Sequence, residues 1–119
     1  MESVQRSELE PFTTKDGSEI REYLHTVVQS LAEATLLPGQ ATQRHYHRLS
    51  EEIYLIVEGG GLMEIDGEER EVGADEAILI PAGARHTLVA GSEGVRLLCC
   101  CVPPYSHDDT YFEAAEAQP

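Results

Sequence analysis

The chain has 119 residues, with 22 acidic and 8 basic side chains, so its formal net charge is −14 at pH 7. This charge excludes the basic stripe that nucleic-acid binding requires, and it makes an anionic membrane surface an unfavourable partner. A chain of this length folds as one domain, and its hydrophobic content of 41% is typical of a globular protein rather than a disordered one.

In chain order, the sequence consists of short apolar segments separated by turns. Residues 1–10 are polar and lack the basic start and apolar centre of a signal peptide, which favours a cytoplasmic location. Turn signals fall at residues 15–17, 38–39, 58–61, 66–67, 81–83, 91–94 and 103–104. The segment from Ser30 to Ala34 has the composition of a helix, but it leads to Pro38-Gly39, and we interpret it as a strand.

The clearest local prediction is a hairpin in the middle of the chain. Asp66-Gly67 separates two short segments, and both residues tolerate the positive φ angles of a two-residue turn, so we expect a tight turn there. Strands of about five to eight residues, with no room for crossover helices between them, predict an all-β sandwich or barrel. No apolar run approaches the ~20 residues that span a bilayer, so we expect no membrane partner.

We expect three regions along the chain: an N-terminal extension over residues 1–12, a barrel over residues 13–104 and a C-terminal segment over residues 105–119. The last segment is expected to be partly helical or frayed. A helix from Asp108 to Ala117 would be capped by Asp108 or Asp109. The Ala/Glu tail from Glu113 to Pro119 has no large apolar side chain to anchor it.

The sequence His45-Tyr46-His47 is the strongest chemical signal in the chain. Residues two apart on a β-strand project from the same face, so both imidazoles can reach one ion. Glu51 and Glu52 follow closely, and His86 lies just after the turn at residues 81–83. A lone His-x-His pair is often incidental, but together these residues offer the nitrogen and oxygen ligands that suit a first-row divalent ion.

Between Gly39 and Ala90, the chain resembles the two motifs of the cupin superfamily. The first motif is a glycine, a His-x-His pair, a glutamate and a second glycine, and it is matched by Gly39, His45, His47, Glu52 and Gly59. The second motif is matched by Pro81, Gly83 and His86. Two positions depart from the pattern, since Asp75 replaces a glycine and Ala90 replaces an asparagine. Neither is a ligand position, so the departures affect only the local turn and a backbone hydrogen bond.

The resemblance implies a double-stranded β-helix, a jelly-roll-like barrel with short irregular or helical termini, which is usually assembled as a homodimer. It also implies one divalent metal ion held by His45, His47, Glu52 and His86. Four such ligands fill four positions of an octahedron and leave two adjacent ones for water, dioxygen or a substrate. These donors favour Fe or Mn, while Ni, Zn, Co and Cu are also compatible.

The choice of glutamate ligand and the role of Tyr54 are each open to two interpretations. Spacing favours Glu52 as the ligand, whereas Glu51 continues a face with Ile53 and Leu55 that resembles a packing surface. If Glu52 points inward, Tyr54 does too. Tyr54 is then a candidate for contacting a metal ligand or the substrate, or it simply fills the barrel.

Cys99, Cys100 and Cys101 make a poor disulfide framework, because neighbours on a strand point to opposite faces. Cys99 and Cys101 share a face, and thiolates there would favour Zn or Cu(I). Inert packing is the interpretation we prefer, because buried cysteine behaves as a small hydrophobe and the flanking residues are apolar.

We therefore predict a single-domain cupin that uses a metal ion on a small organic molecule. The chemistry would be oxygen-dependent oxidation, which defines an oxidoreductase, or that of an isomerase or lyase. The alternative is a non-catalytic module that binds or senses a small ligand through the metal, and the fold alone does not choose between them. Gly59-Gly60-Gly61 lacks the lysine and helix of a phosphate loop, and the chain has no nucleophile elbow.

Overall fold

The structure is a computed structural model that describes residues 1–112. These residues contain short 3₁₀ helices at Arg6–Glu8 and His107–Asp109, and the helices described are not long and apolar enough to cross a membrane. The strands within the same residues are β1 Phe12–Thr13, β2 Glu19–His25, β3 Ser30–Leu36, β4 His45–Tyr46, β5 Glu51–Ile65, β6 Glu68–Gly73, β7 Ala77–Ile80, β8 His86–Val102 and β9 Tyr111–Phe112.

The two long strands, β5 and β8, organise the sheet. They pair antiparallel along most of their lengths, and β3, β2 and β1 continue outward from β8 in that order. Strands β6 and β7 pair with β5, while β4 joins β8 to β9. The result is a curled antiparallel sheet, which confirms the predicted all-β, jelly-roll-like barrel.

The alternation of buried and exposed residues along each strand shows which face points inward. In β5, Glu52, Tyr54 and Ile56 are buried, whereas Glu51, Ile53 and Leu55 are exposed. The face of Glu51 is therefore an outer surface rather than part of the core of this chain. The core cluster consists of Leu36, Tyr54, Ile56, Met63, Val72, Ile78, Ile80, Ala84, Leu88, Ala90, Val95 and Leu97.

The local predictions for the strand at Ser30 and for the hairpin are confirmed. Ser30–Leu36 forms β3, and the turn between β5 and β6 places Asp66 and Gly67 at φ values of 49° and 92°. The C-terminal segment differs, because a 3₁₀ turn leads into β9 where a helix was predicted from Asp108. Pairing of β9 with β4 outweighs the local helix signal there, and residues 113–119 of the predicted helix lie outside the described residues.

A buried carboxylate fastens the N-terminal extension to the sheet. The side chain of Glu33 on β3 is fully buried and accepts hydrogen bonds from Arg6 Nε at 3.0 Å and Arg96 Nη1 at 2.9 Å. Arg21 lies 3.8 Å from the same carboxylate. Charge-assisted hydrogen bonds of this kind compensate for the loss of hydration that burial imposes.

Glycines allow β5 and β8 to approach closely where their pairing shifts register. The register breaks between Gly59 and Gly61, and Gly59 has a φ of +72°. A Cβ atom at Gly59 would overlap the carbonyl oxygen of Gly94, and one at Gly61 would overlap that of Val89. The second glycine of the metal motif is therefore required by backbone packing rather than by the metal.

We expect Gly59→Ala to destabilise the fold more than Gly67→Ala. Alanine at either position adopts an unfavourable positive φ, which costs about 1–2 kcal/mol, but a Cβ at Gly67 meets nothing within 4 Å. The overlap at Gly59 should raise its loss to about 3 kcal/mol or more. Urea denaturation measures both free energies of unfolding, and equal losses would contradict the role given to this close approach.

Candidate metal centre

Four side chains that are separated in sequence converge in the fold. His45 lies on β4 opposite His86 on β8, His47 follows β4, and Glu52 lies at the start of β5. All four are between 1% and 4% exposed, and their potential ligand atoms lie within 4.8 Å of one another. The structure thus brings together the four residues that the sequence predicts, and their role as ligands stays a prediction.

Backbone carbonyls fix the orientation of all three imidazoles. The Nδ1 atoms of His45, His47 and His86 lie 2.7, 3.0 and 2.9 Å from the carbonyl oxygens of Gln43, Asp109 and Ala84, respectively. A carbonyl oxygen can only accept a hydrogen bond, so each Nδ1 carries the hydrogen. The Nε2 lone pairs of neutral rings are therefore free for a cation, which is the usual arrangement of metal-binding histidine.

The carboxylate of Glu52 completes a donor set with the spacing of metal ligands. Its Oε1 lies 3.1 Å from His47 Nε2 and 3.2 Å from His86 Nε2. Bonds of about 2.1 Å to one ion place adjacent ligand atoms about 3.0 Å apart in an octahedron and about 3.4 Å apart in a tetrahedron. Among the described residues, Glu52 Oε1 and His86 Nε2 are buried without a hydrogen-bond partner. A bound cation would satisfy both atoms, so the site fits a divalent ion.

The electrostatics of the cluster also suit a cation. Burial and the neighbouring His86 lower the pKa of His45 to about 4, although Asp16 opposes this shift. Burial alone would favour neutral His47 and Glu52, but their attraction outweighs it, so the pKa of His47 is raised and that of Glu52 lies well below its usual range. Glu52 is therefore ionised at neutral pH and attracts either a proton or a metal ion to the imidazoles.

The adjacent side chains of Glu51 and Glu52 point in opposite directions. Glu52 faces the histidines, whereas Glu51 is exposed on the outer face. Tyr54 shares the inward face, and its ring centroid lies 6.1 Å from that of His86. Burial and the charge of Glu52 raise the pKa of Tyr54 well above its usual range, so it remains a neutral phenol.

A cavity of about 60 Å³ lies against the cluster. Its walls combine apolar side chains such as Ile20, Leu88 and Leu97 with a smaller polar group. The residues that line it include Thr14, Asp16, Ser18, Ile20, Ala32, Thr42, His45, His47, Glu52, Tyr54, Leu88, Leu97, Cys99, Cys101 and Tyr105. Mainly apolar walls with a few convergent polar groups are the lining of a small-molecule site, although the volume lies below the roughly 300–1,000 Å³ of sites for drug-sized ligands.

The family model of the cupin domain matches residues 32–101. The chain belongs to the cupin family. It is 48% identical over 108 residues to an uncharacterised protein of Methanocaldococcus jannaschii, and the match covers 86% of each protein. It is also 39% identical over 79 residues to the dimethylsulfoniopropionate lyase DddW of Ruegeria pomeroyi, covering 66% of this chain and 47% of the lyase.

A solved structure is similar in architecture. The polyketide cyclase RemF of Streptomyces resistomycificus superimposes with a TM-score of 0.74 at 25% sequence identity, covering 87% of this chain and 80% of RemF. Two of these similar proteins are thus named as a lyase and a cyclase, while the 48% identical relative carries no assigned activity.

Asp16 lines the cavity of this cupin. The sequence-based prediction places Asp16 in a turn and assigns it no role in the site. Its Oδ1 accepts hydrogen bonds from the hydroxyls of Thr14 at 2.7 Å and Ser18 at 2.6 Å, and from the backbone N–H of Ser18 at 2.9 Å. Its Oδ2 lies 3.6 Å from His45 Nε2. The turn between β1 and β2 therefore delivers a second fixed carboxylate to the site.

The cysteine pair also takes part in the site. Cys99 Sγ donates a hydrogen bond to Glu52 Oε2 at 3.0 Å, and Cys101 Sγ lies 3.5 Å from the same oxygen. A hydrogen bond with Cys101 and burial raise the pKa of the Cys99 thiol well above its usual range. Both thiols thus contact the central carboxylate, which inert packing does not account for.

Asp109 supports the site from the C-terminal segment. Its carboxylate accepts backbone hydrogen bonds from three consecutive residues of the loop between β4 and β5, at 3.1, 3.1 and 3.2 Å: Arg48, Leu49 and Ser50. Its own carbonyl accepts from His47 Nδ1. Asp109 therefore fixes both the loop that carries His47 and the orientation of its ring. The sequence-based prediction names Asp109 only as a candidate helix cap. Its hydrogen bonds reach backbone N–H groups some 60 residues away, and such contacts leave no recognisable pattern in the local sequence.

We expect Asp109→Ala to weaken both the fold and metal binding. Loss of three hydrogen bonds to a buried carboxylate should cost about 3 kcal/mol of unfolding free energy, and loosening of His47 should weaken Mn²⁺ binding about 10–100-fold. Chemical denaturation and equilibrium dialysis measure the two effects. Asp108→Ala, which changes an exposed neighbour, is the control and should match the wild type. Unchanged Mn²⁺ affinity in Asp109→Ala would show that the loop does not position His47.

Proposed function

We propose that this cupin binds one divalent transition-metal ion through His45, His47, Glu52 and His86 and acts on a small organic molecule in the adjacent cavity. The supporting observation is the buried pair of unpartnered atoms, Glu52 Oε1 and His86 Nε2, at ligand spacing. Imidazole and carboxylate donors favour Fe or Mn, and Ni, Zn, Co and Cu are compatible. When bound, such an ion supplies Lewis-acid polarisation of a substrate oxygen.

The chain itself supplies the remaining groups that an elimination or isomerisation needs. Asp16, held by Thr14 and Ser18, is a fixed carboxylate that can take a proton from a carbon beside a polarised carbonyl or carboxylate. Tyr54 offers a neutral phenol on the cavity wall. The apolar part of the wall excludes water from the substrate. These residues would bind the substrate, orient it and move a proton.

Lyase-type or isomerase-type chemistry is the activity that we propose. One relative is a dimethylsulfoniopropionate lyase and a structural neighbour is a polyketide cyclase, and these names describe bond elimination and ring closure without net oxidation. The chain spans about half of that lyase, 47% of its length, so its own substrate is proposed only as a small molecule with carbonyl or carboxylate oxygens.

We expect Glu52→Gln to lose the metal and Glu51→Gln to retain it. The neutral amide removes the negative charge and one ligand from the buried site, whereas Glu51 is exposed on the opposite face. Elemental analysis of untagged protein, purified without chelator and after reconstitution with Fe²⁺ or Mn²⁺, should give about one Fe or Mn ion per chain in the wild type and in Glu51→Gln. Circular dichroism checks that both variants are folded. Loss from Glu51→Gln alone would overturn the ligand assignment.

The same preparations distinguish the candidate activities. The metal-loaded protein is incubated with dimethylsulfoniopropionate, 3-hydroxy acids and short polyketones, while products and oxygen uptake are measured. Products without oxygen uptake, absent in Glu52→Gln and in a metal-retaining Asp16→Asn variant, support the lyase-type or isomerase-type proposal. Product formation coupled to oxygen uptake would indicate an oxygenase. Tight, metal-dependent binding of an unchanged compound would indicate a non-catalytic binding module.

We also propose that two copies of the chain associate through the outer face of β5, β7 and β8. Ile53, Leu79 and Val102 lie on this face and are 46%, 55% and 46% exposed. Ile53 pairs with Leu79 across the sheet, so the apolar side chains form one surface. A chain with a net charge of −14 repels its copies, and a largely uncharged face is where that repulsion is weakest.

We expect Ile53→Glu to produce monomers. A glutamate at the centre of a self-complementary surface places two carboxylates near the symmetry axis, where they repel each other without solvation. Sedimentation equilibrium should give a dimer for the wild type and for Leu37→Glu, a control that adds the same charge at an exposed position outside this face. A wild-type mass of 13.1 kDa, that of a single chain, would rule out this association.

A further inference from the structure

A second cluster of donor atoms lies beside the histidines. Cys99 Sγ, Cys101 Sγ and Glu52 Oε2 form a triangle whose sides are 3.0, 3.5 and 3.6 Å. The cluster uses the other oxygen of Glu52, since Oε1 is the one that faces His47 and His86. Each oxygen of the carboxylate is therefore directed toward a different set of donors.

We propose that Cys99, Cys101 and Glu52 form a second metal position, which takes a thiophilic divalent ion of the Zn²⁺ class. In a tetrahedral site with bonds of about 2.3 Å to sulfur and about 2.0 Å to oxygen, two sulfurs lie about 3.8 Å apart and sulfur lies about 3.5 Å from oxygen. The sulfurs are 3.6 Å apart, and Cys101 Sγ is 3.5 Å from Glu52 Oε2. Only the 3.0 Å separation between Cys99 Sγ and Glu52 Oε2 has to widen.

The strands around the thiols leave room for an ion. Ser30 and Ala32 on β3 pair with Cys101 and Cys99, and both of these small side chains line the cavity with the thiols. On the other side of β8, Glu52 pairs with Cys101. Small side chains thus cover the sulfurs on the β3 side, whereas on the β5 side Cys99 pairs with the buried Tyr54. The cavity gives a fourth ligand access to the ion.

Charge balance permits the two positions to be filled together. Binding of M²⁺ replaces the protons of both thiols, which pass to the buffer, and it leaves two thiolates and a shared carboxylate around the ion. The total of three negative charges offsets most of the four positive charges of two divalent ions. The thiol position does not require an ion at the histidines, because its contacts involve only Glu52 Oε2 and the two sulfurs.

Cobalt(II) distinguishes the two positions spectroscopically. The metal-free protein, kept anaerobic with a phosphine reductant, is titrated with Co²⁺ alone at fixed pH. Ligand-field bands in the visible region report every bound ion, whereas sulfur-to-cobalt charge transfer in the near ultraviolet reports thiolate ligation. We expect the wild type to bind two Co²⁺ per chain and to show charge transfer. This measurement does not depend on the folding of any variant.

Three variants assign the bands. Cys99→Ser should bind one Co²⁺ without charge transfer, while His47→Ala should bind one Co²⁺ with charge transfer retained. Cys100→Ser is the matched control, since Cys100 pairs with the outer-face residue Ile53 on the same strands, and it should behave as the wild type. If Cys99→Ser does not fold, Cys101→Ser serves the same purpose.

Each alternative outcome is decisive. Wild-type protein that binds Co²⁺ without charge transfer would overturn the thiol position and leave the proposed histidine centre intact. Charge transfer that persists in His47→Ala, with no ion lost, would instead overturn the histidine centre. A single ion that carries the charge-transfer band and is lost from both His47→Ala and Cys99→Ser would show one mixed position rather than two. Loss of the band only in Cys100→Ser would also refute the assignment.

Discussion

The organisation of the site depends on one buried carboxylate, that of Glu52. An ionised carboxylate in the protein interior is costly unless charges or hydrogen-bond donors surround it. Here two imidazole nitrogens approach one oxygen and two thiols approach the other. Every strand that contributes a donor must therefore hold its register relative to β5, and the proposed chemistry of the cavity follows from which groups reach these two oxygens.

The backbone, more than other side chains, holds those groups in place. Three backbone carbonyls orient the imidazoles, and backbone N–H groups of the loop that follows His47 donate hydrogen bonds to the carboxylate of Asp109. The glycines at positions 59 and 61 let the backbones of β5 and β8 approach closely where their register shifts. Because the core is formed by apolar side chains of several strands rather than by the metal ligands, removal of a metal should leave the barrel folded, in contrast to a structural zinc site.

Local periodicity explains why much of this arrangement is predictable. Alternation along β5 places Glu52 inward and Glu51 outward, and the His-x-His spacing places both rings on one face. The same parity puts Cys99 and Cys101 together. The carboxylates of Asp16 and Asp109 are different, because they lie in a turn and a 3₁₀ helix and bind groups that are distant in sequence or belong to the backbone. Strand pairing at β9 likewise overrides the helix signal that starts at Asp108.

The chemistry of the donors separates the two proposed metal positions. Three imidazoles and a carboxylate oxygen suit Fe²⁺ or Mn²⁺, whereas two thiolates discriminate against such ions in favour of Zn²⁺. A shared carboxylate makes binding at one position affect the other, and this coupling is reciprocal by thermodynamic linkage. Two divalent ions repel each other strongly through a medium of low dielectric constant. The coupling is therefore unfavourable unless the negative charge of the thiolates screens one ion from the other. Replacing Cys99 removes the thiol position and, because Cys99 Sγ contacts Glu52 Oε2 directly, also changes the surroundings of a ligand of the histidine centre.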